Sequence, residues 1–515
     1  MDWHTNNVSI LILFVKASVG ERIERKRSRL EIIPILMVRT AVLLLWSSVA
    51  VIAPRVTRAE PIPLPPQPER GIAPGAYPAA PPRDPIAVPE DILARREELS
   101  LADVLAVALA NDPSTRIAWR DARARVAEIG IERADYWPQL EATVGLSRSH
   151  TLIQGGQLDS TQTVTGLGAT LDWLLLDFGE RSGAVETARR EALAAVWSHG
   201  ATVQGTLLRT IEAYVDYVGA KANLVAAETS RDEAKTNLEA AQGRRDAGVA
   251  TIADVLQAKT AFSQATLFTL TIAGSIGARR GALATAMGIP ANVPFDVQDL
   301  PAAVPSVALK ASVDELIERA KTTRPDLAAS REDWLAAKAD IKTARGAWLP
   351  KLEMTGAMTR NSYDTTVGTN SFSASGTPWS LGVVLRIPVF DGLRAHYDIA
   401  RAQESERATA EIARAVEQGV VNDVWRSYYD LETAAQRIDT ARDLLASATE
   451  SEQVALGRYT EGVGTLLDLL NAQSALAAAR AQDIAARADW FVSAARLLHA
   501  TGGLTGVDAI NEVRR

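Results

Sequence analysis

The sequence predicts a mixed α/β membrane protein with an internal tandem structural repeat. We expect a trimeric 12-stranded transmembrane β-barrel, with four strands per protomer, continued by a long α-helical coiled-coil barrel. Three observations predict this fold. First, the second half of the chain repeats the sequence motifs of the first half. Second, two segments in each half alternate between apolar and polar residues. Third, long proline-free segments have apolar residues at every seventh position.

The repeat becomes visible when residues 100–290 are laid over residues 312–504. Individual serine and proline residues, and a glycine–threonine–aspartate motif, recur at offsets of 212 to 214 residues. A solenoid unit has roughly 20–50 residues, so this longer spacing predicts a duplicated half-domain. The matched marks are Ser100 with Ser312, Pro113 with Pro325, Pro138 with Pro350, and Gly248-x-x-Thr251-x-x-Asp254 with Gly462-x-x-Thr465-x-x-Asp468.

The first segment, 1–59, has the layout of a secretory signal peptide. Arg39 precedes an apolar run over residues 41–53, and small residues up to Ala59 provide a cleavage site. The run is shorter than the roughly 20 residues of a transmembrane helix. The residues before Met37 do not fit this layout, so we expect Met37 to be the true start. A longer leader is the alternative.

A proline-rich segment, 60–98, follows the leader and is expected to be a tether. Residues 61–89 hold 11 of the 23 prolines, which favour extended polyproline II structure and cannot build a core. The remaining segments are a first structural repeat at 99–290, an inter-repeat linker at 291–311, a second repeat at 312–503 and a C-terminal tail at 504–515.

Each repeat is predicted to begin with two helices. An N-cap serine with an acidic residue three positions later opens a short helix, a proline breaks it, and a second helix runs towards a further proline. The serines are Ser100 and Ser312, the breaks lie at Pro113 and Pro325, and the second helices are expected to end before Pro138 and Pro350.

After these helices the apolar period changes from helical to two, which predicts two strands of about ten residues in each repeat. Such strands suit the wall of a transmembrane barrel, although a soluble half-buried hairpin has the same period. Polar linkers at 148–163 and 360–378 are expected to be exposed loops. Trp173 and Trp379 suit the aromatic belt of a membrane interface, with a buried soluble-core position as the alternative. The alternating apolar residues are Leu140, Ala142, Val144 and Leu146; Leu167, Ala169 and Leu171; Leu352, Met354 and Met358; and Leu381, Val383, Leu385 and Ile387.

A very long helix is predicted after each strand pair. Val424, Leu431 and Ile438 are seven residues apart, and so are Ile211, Val218 and Val225. A seven-residue apolar period is typical of coiled-coil packing. About 65 residues at about 1.5 Å each give roughly 100 Å of helix. Glycine-containing turns near residues 248 and 462–464 then begin a second long helix, so each repeat ends in an antiparallel helical hairpin.

Four strands cannot close a barrel that spans a membrane, and open strand edges in lipid leave backbone groups without hydrogen bonds. We therefore expect the chain to form an oligomer. Three copies give twelve strands, and four copies would also close the barrel.

The composition argues against several other functions. A net charge of −7 and the lack of a Lys/Arg-rich stretch in the mature region argue against a nucleic-acid partner. The chain has no cysteine, which excludes disulfides and thiolate sites. The five histidines lack metal-ligand spacing, and no P-loop or nucleophile-elbow motif is present. We expect no enzyme activity, no metal and no cofactor.

The order of helices, strand pair and long hairpin, duplicated over about residues 99–503, resembles the TolC-like outer membrane efflux protein family. The strongest local matches are the hairpin turns at 245–258 and 458–472. The resemblance implies a homotrimeric channel in the outer membrane lipid of a Gram-negative cell, with a tunnel extending into the periplasm. It also implies partnership with a periplasmic adaptor and an inner-membrane pump, in tripartite drug efflux or type I secretion.

The resemblance also implies pore and gate residues at the helix tips. The gate tyrosine corresponds to Tyr459, the aspartate of the first turn that is its gate partner corresponds to Asp254, and the ring aspartate corresponds to Asp468. A second ring position holds Asn471, and the family's gate arginine is replaced by Gly464. Arg458, Arg244 and Arg245 are candidates to take the place of that arginine.

The turn residues Gly248, Val249, Gly462 and Val463 match the positions where an adaptor contacts the tunnel tip. Structural roles explain several of these residues equally well, since an acid near a helix N-terminus is favoured by the helix dipole and glycine serves the turn. Tyr459 is as well suited to packing as to gating. The rival interpretation of the whole chain is a secreted soluble coiled-coil scaffold, which explains the helices but not the alternating strands.

Overall fold

The computed structural model describes residues 98–153, 158–301 and 312–504. The predicted leader (1–59) and all but the last residue of the predicted tether (60–98) lie outside the described residues. So do 302–311 of the predicted linker and 505–515 of the predicted tail. No helix in the described ranges combines the length and apolar character needed to cross a bilayer.

The same order of elements occurs in both halves of the chain, and the helices of the two halves have equal lengths of 11, 22, 67 and 35 residues. The first half consists of α1 (Leu101–Asn111), α2 (Pro113–Ala134), β1 (Gln139–Ile153), β2 (Leu158–Leu176), α3 (Glu180–Asp246) and α4 (Ile252–Ala286). The second half consists of α5 (Val313–Thr323), α6 (Pro325–Gly346), β3 (Lys351–Val367), β4 (Asn370–Gly376), β5 (Trp379–Arg386), α7 (Arg394–Thr460) and α8 (Leu466–Ala500).

Local sequence rules account for the starts of the short helices. Ser100 and Ser312 form the predicted capping boxes, with Asp103 and Glu315 at the third helical position. Pro113 opens α2, and Pro325 opens α6 in the same way. Proline is favoured at the first helical position because its missing N–H would have no partner there.

The strands form one antiparallel sheet in the order β1–β2–β3, and both β4 and β5 pair with the far side of β3. β4 and β5 therefore occupy a single strand position that is interrupted at Thr377 and Pro378. Proline has no N–H to donate to the ladder. The Pro378 carbonyl still accepts a hydrogen bond of 3.0 Å from the Thr359 N–H.

The prediction of exposed loops at 148–163 and 360–378 is wrong. β1, β2 and β3 are 15, 19 and 17 residues long, so most of these polar segments continue the strands. Threonine and serine in these segments lie opposite each other on neighbouring strands, as Thr161 of β2 does with Thr366 of β3. The sequence suggested loops because alternation ends where both faces of the strand become polar, although the β-branched threonine still favours extended structure.

The register places the predicted apolar residues on one face of the sheet. Leu140 lies opposite Leu171, Ala169 opposite Met358, and Met358 opposite Trp379. Polar and small residues share the other face. Leu140, Val144, Trp379 and Val383 are between 59% and 82% exposed in the single chain. The outer edges of the sheet, along β1 and along β4–β5, pair with no other strand among the described residues.

The long helices pack along alanine-rich seams. Val424, Leu431 and Ile438 are buried as predicted, with Ala434 and Ala441 beside them. In the first half Ile211 and Val218 are buried, but Val225 is 64% exposed, contrary to the predicted seam. The buried positions there are Ala220, Ala227, Ala234 and Ala241. Ile211 and Val218 are covered by a cluster that includes Val104 of α1, Leu283 of α4 and Val297, and Val218 is the last residue of α3 in this cluster. Beyond it, only the alanine side of α3 stays buried.

Candidate functional site at the helical tips

The two helical hairpins turn at glycines in the left-handed region. Gly248 has φ 81° and Gly462 has φ 75°. The Val249 N–H donates to the Arg244 carbonyl at 2.9 Å, and the Val463 N–H donates to the Arg458 carbonyl at the same distance. These bonds form Schellman-type ends of α3 and α7, which require a residue that tolerates positive φ. The turn role predicted for both glycines is confirmed.

The predicted aspartates open the helices that follow the turns. The Thr251 N–H donates to the Asp254 carboxylate at 2.8 Å, and the Thr465 N–H donates to the Asp468 carboxylate at 3.3 Å. Hydrogen bonds from the Thr251 backbone and side chain hold the pKa of Asp254 below its ordinary value. Those from the Thr465 side chain and backbone do the same for Asp468, which is exposed. Both carboxylates are therefore ionised helix-capping groups near neutral pH.

Tyr459 is buried between the two hairpins of one chain. Its side chain is 7% exposed and packs in a cluster that contains Ala241, Val255, Leu466 and Leu469. Its hydroxyl is buried and has no hydrogen-bond partner within the described residues. Within one chain the structure thus gives Tyr459 a packing position, and it forms no bond to the predicted partner Asp254.

Arg244 is the candidate arginine that joins the two hairpins of one chain. Its guanidinium carbon lies 4.8 Å from the centroid of the Tyr459 ring, and its Nη1 donates a hydrogen bond of 3.0 Å to the Tyr459 carbonyl. Arg458 lies near enough to Asp468 to favour the ionised carboxylate. At Gly464 an added Cβ would lie 3.0 Å from the Arg458 Cβ, so the tight turn leaves little room for a larger residue there.

Asn471 lies on the wall of a groove between the first and second hairpins. The groove has a volume of about 630 Å³ and is also lined by Leu256, Gln264, Phe268 and Ser474. Contacts between the hairpins form its edge: the Asn237 amide donates to Gln473 at 2.6 Å, and Arg480 bonds Glu233 at 3.0 Å. The sequence offered no signal for this groove, because its walls come from residues more than 200 positions apart.

The tips of both hairpins expose apolar side chains. Val249 is 66% exposed and Val463 is 70% exposed, while Ile252 and Leu467 are each 54% exposed. Adjacent exposed apolar residues of this kind are typical of surfaces that contact another protein. Among the described residues, no group of three or more His, Cys, Asp or Glu side chains is arranged to hold a metal ion.

Known proteins share both the sequence pattern and the fold. Protein CyaE of Bordetella pertussis is 29% identical over 474 residues, which cover 90% of this chain and 95% of CyaE. The toluene efflux pump outer membrane protein TtgF of Pseudomonas putida is 27% identical, with coverage of 78% and 83%. The crystal structure of outer membrane protein VceC of Vibrio cholerae matches with a TM-score of 0.67 at 19% identity and covers 78% of this chain and 96% of VceC.

The family model of outer membrane efflux proteins matches residues 104–289 and 316–503, one match in each half of the chain. These matches include both helical hairpins and all the strands. The chain therefore belongs to the outer membrane efflux protein family, the TolC-like channels of the outer membrane.

Proposed function

We propose that this protein is the exit duct of a tripartite efflux or type I secretion system. It would pass small molecules or proteins from an inner-membrane pump and a periplasmic adaptor to the exterior. The observation that carries this proposal is the sheet with one apolar face and two open edges, joined directly to two 67-residue helices. A secreted soluble scaffold does not account for an apolar sheet face of this extent.

Closure of the sheet supports a homotrimer. One chain supplies four strand positions, and unpaired backbone groups at the edges of β1 and β5 would be costly in lipid. Three copies would pair every edge and form a 12-stranded barrel with its apolar face towards the lipid. A transmembrane strand needs about 9–11 residues. The longer strands here would therefore extend beyond the bilayer.

The helices supply the reach that a periplasmic tunnel requires. A helix of 67 residues spans roughly 100 Å at about 1.5 Å per residue. The tips of the hairpins would then form the tunnel entrance, far from the membrane. The exposed turns around Gly248, Val249, Gly462 and Val463 are the surface that we assign to the adaptor.

At the entrance we assign a cation-attracting role to Asp468, with Asp254 and Asn471 beside the passage. Three copies related by a threefold axis would bring three Asp468 carboxylates around one opening, and a ring of like charges favours cations over anions. Arg244 and Tyr459 would hold the two hairpins of each chain together behind this ring.

Two measurements test the proposal. Native mass spectrometry in detergent is expected to show a trimer, and planar bilayers containing the purified protein are expected to show stepwise conductance. Membrane fractionation provides the comparison with the scaffold alternative, since a channel needs detergent for extraction and a scaffold does not. Recovery of a soluble monomer without conductance would rule the channel out.

A cargo experiment separates drug efflux from protein secretion. Deletion of the gene is expected either to sensitise cells to small toxic compounds or to abolish export of a protein encoded beside it. The encoded pump and adaptor in the gene neighbourhood would indicate in advance which effect to expect.

A further inference from the structure

The two halves of the chain repeat individual contacts, and in one pair the charges are exchanged. Asp112 and Arg209 form an ion pair of 3.0 Å in the first half. The equivalent positions, 112 + 212 and 209 + 214, are Arg324 and Asp423, which form an ion pair of 2.8 Å in the second half. The offsets therefore relate contacts as well as residues, and a contact persists when its charges are swapped.

A different set of contacts joins the first half to the second. Helix α6 lies between α3 and α7. On one side, Arg190 of α3 donates a hydrogen bond to Glu332 of α6. On the other side, Trp334 of α6 donates a hydrogen bond to Glu406 of α7. The Thr187 hydroxyl of α3 donates to Asp340 at 2.7 Å. Near the sheet, Gly183 of α3 approaches Thr343 of α6 so closely that an added Cβ would clash with it.

Within the described part of the chain, helix α2, the counterpart of α6, packs against α3 on one side and leaves its other side exposed. Arg125 bonds Glu191 of α3 at 3.0 Å, which corresponds to one of the two sides of α6. On its other side Ile117 and Ile131 are each 68% exposed. Helix α7, the counterpart of α3, likewise exposes Tyr397 by 66%. The exposed face of α7 is therefore equivalent to the face of α3 that packs on α6. The exposed face of α2 is equivalent to the face of α6 that packs on α3.

Each of the three contacts between α3 and α6 has an equivalent pair of positions on the exposed faces of α7 and α2. The two sequence offsets identify these positions. Positions on α3 are increased by 214 and positions on α6 are reduced by 212. Gly183 with Thr343 becomes Tyr397 with Ile131, Thr187 with Asp340 becomes Arg401 with Glu128, and Arg190 with Glu332 becomes Glu404 with Arg120. The first pair combines two largely apolar side chains. Each of the other two combines opposite charges, and in the last pair the charges are exchanged relative to Arg190 and Glu332.

We propose that α7 of one copy packs against α2 of a second copy through Tyr397 on Ile131, Arg401 with Glu128, and Glu404 with Arg120. The inference rests on the proposed oligomeric channel and names the contacts that hold its copies together. Among the residues that the structure describes, Arg401 and Glu404 form ion pairs along their own helix, with Asp398 and Arg407. Neither of these ion pairs reaches another helix, so both charges face outward towards a second copy. Tyrosine and isoleucine are larger than glycine and threonine, so we expect α2 and α7 to lie farther apart than α3 and α6.

Cysteine cross-linking tests this interface directly, because the natural chain contains no cysteine. A variant with Ile131→Cys and Tyr397→Cys, treated with a short thiol-specific cross-linker, is expected to give covalent dimers and trimers on denaturing gels. Ile131→Cys with Ala402→Cys is the matched control, since Ala402 lies on the half-buried side of α7. Thr187→Cys with Asp340→Cys should cross-link within a chain and leave its oligomeric size on the gel unchanged.

A charge exchange provides a second, independent test. Glu404→Arg and Arg120→Glu each place like charges together, so each is expected to reduce the fraction of oligomer in detergent. The double variant should restore it. Suppose that trimers form normally but the cysteines at 131 and 397 do not cross-link, and that the double charge variant forms no more oligomer than the single variants. This result would overturn the interface but leave the channel intact. Absence of any oligomer in the unaltered protein would overturn both.

Discussion

The guanidinium carbon of Arg244, in the last turn of α3, lies 4.8 Å from the ring centroid of Tyr459, in the last turn of α7, and Nη1 donates to the Tyr459 carbonyl at 3.0 Å. These residues are 215 positions apart in the sequence and belong to different hairpins. The pair therefore ties the two tips of one chain together close to the proposed entrance. It supplies a cation at the tips, where the family resemblance leads us to expect Gly464 in place of a gate arginine.

Replacement of Arg244 by alanine is expected to loosen the entrance. The change removes a hydrogen bond and a cation–π contact worth about 0.5–2 kcal/mol. In planar bilayers Arg244→Ala should show a larger mean conductance than the unaltered protein, and Arg244→Lys an intermediate one. Arg245→Ala is the control, because Arg245 is the exposed neighbour. Equal conductance in Arg244→Ala and Arg245→Ala would show that the contact does not restrict the passage.

Replacement of Asp468 by asparagine is expected to reduce cation selectivity and block by multivalent cations from the tip side. Asparagine retains an acceptor for the Thr465 N–H, so the helix start and the oligomer should persist, and Asp468→Ala should have the same effect on selectivity. Hydrogen bonds from Thr465 lower the pKa of Asp468 below its ordinary value of 3.8. The charge is therefore present at higher pH and lost as pH falls through that lowered value.

Reversal-potential measurements across a salt gradient, from pH 7 down to pH 3, check this expectation. Asp254→Asn serves as the matched control from the first hairpin. Selectivity that is unchanged in Asp468→Asn would show that Asp468 acts only as a helix-capping acid.

Arginine substitutions at two neighbouring strand residues should differ in severity. Val383 lies opposite Met354 on the apolar face of the sheet, whereas Val384 lies opposite Glu353 on the polar face. A cation on the lipid face costs up to about 2–4 kcal/mol, and the cost is largest at mid-depth. Val383→Arg should therefore lower the amount of assembled protein in the outer membrane far more than Val384→Arg. Similar losses in both variants would mean that the two faces are assigned incorrectly.

Asp112→Asn should destabilise the helical region in a pH-dependent way. The carboxylate accepts hydrogen bonds from Thr206 at 2.6 Å and Ser114 at 2.7 Å and pairs with Arg209. Burial raises the pKa of Asp112, but these bonds outweigh it and hold the pKa below 3.8. A lowered folded-state pKa contributes stability that is present above the unfolded pKa and lost as pH falls through the folded value.

Thermal unfolding in detergent measures this effect. Near pH 7 the variant should lose about 1–3 kcal/mol, the cost of leaving buried groups without a full partner. The difference in melting temperature between the two proteins should shrink below about pH 4. A difference that stays constant down to pH 3 would exclude the carboxylate charge as its cause.

Local rules in the sequence predicted the helices and their ends. Ser100 and Ser312 start their helices through a hydrogen bond to a residue three positions away. Gly248 and Gly462 end theirs through positive φ. Alternation also predicted which strand face is apolar, and the register across β1, β2, β3 and β5 agrees. These features depend on neighbours within a few residues, so a single sequence is sufficient to predict them.

Contacts between distant segments were decided by the tertiary structure. The polar ends of the strands became extended only because β1 to β4 pair with each other beyond the apolar stretch. The buried seam of α3 follows Ala227 instead of Val225 because the cluster that covers Ile211 and Val218 does not extend to residue 225. The selection of Arg244 over Arg245 to contact Tyr459 depends on which side of α3 faces α7 at the tip. The sequence by itself thus determined what each segment forms, and the packing of segments some 200 residues apart decided which side chains meet.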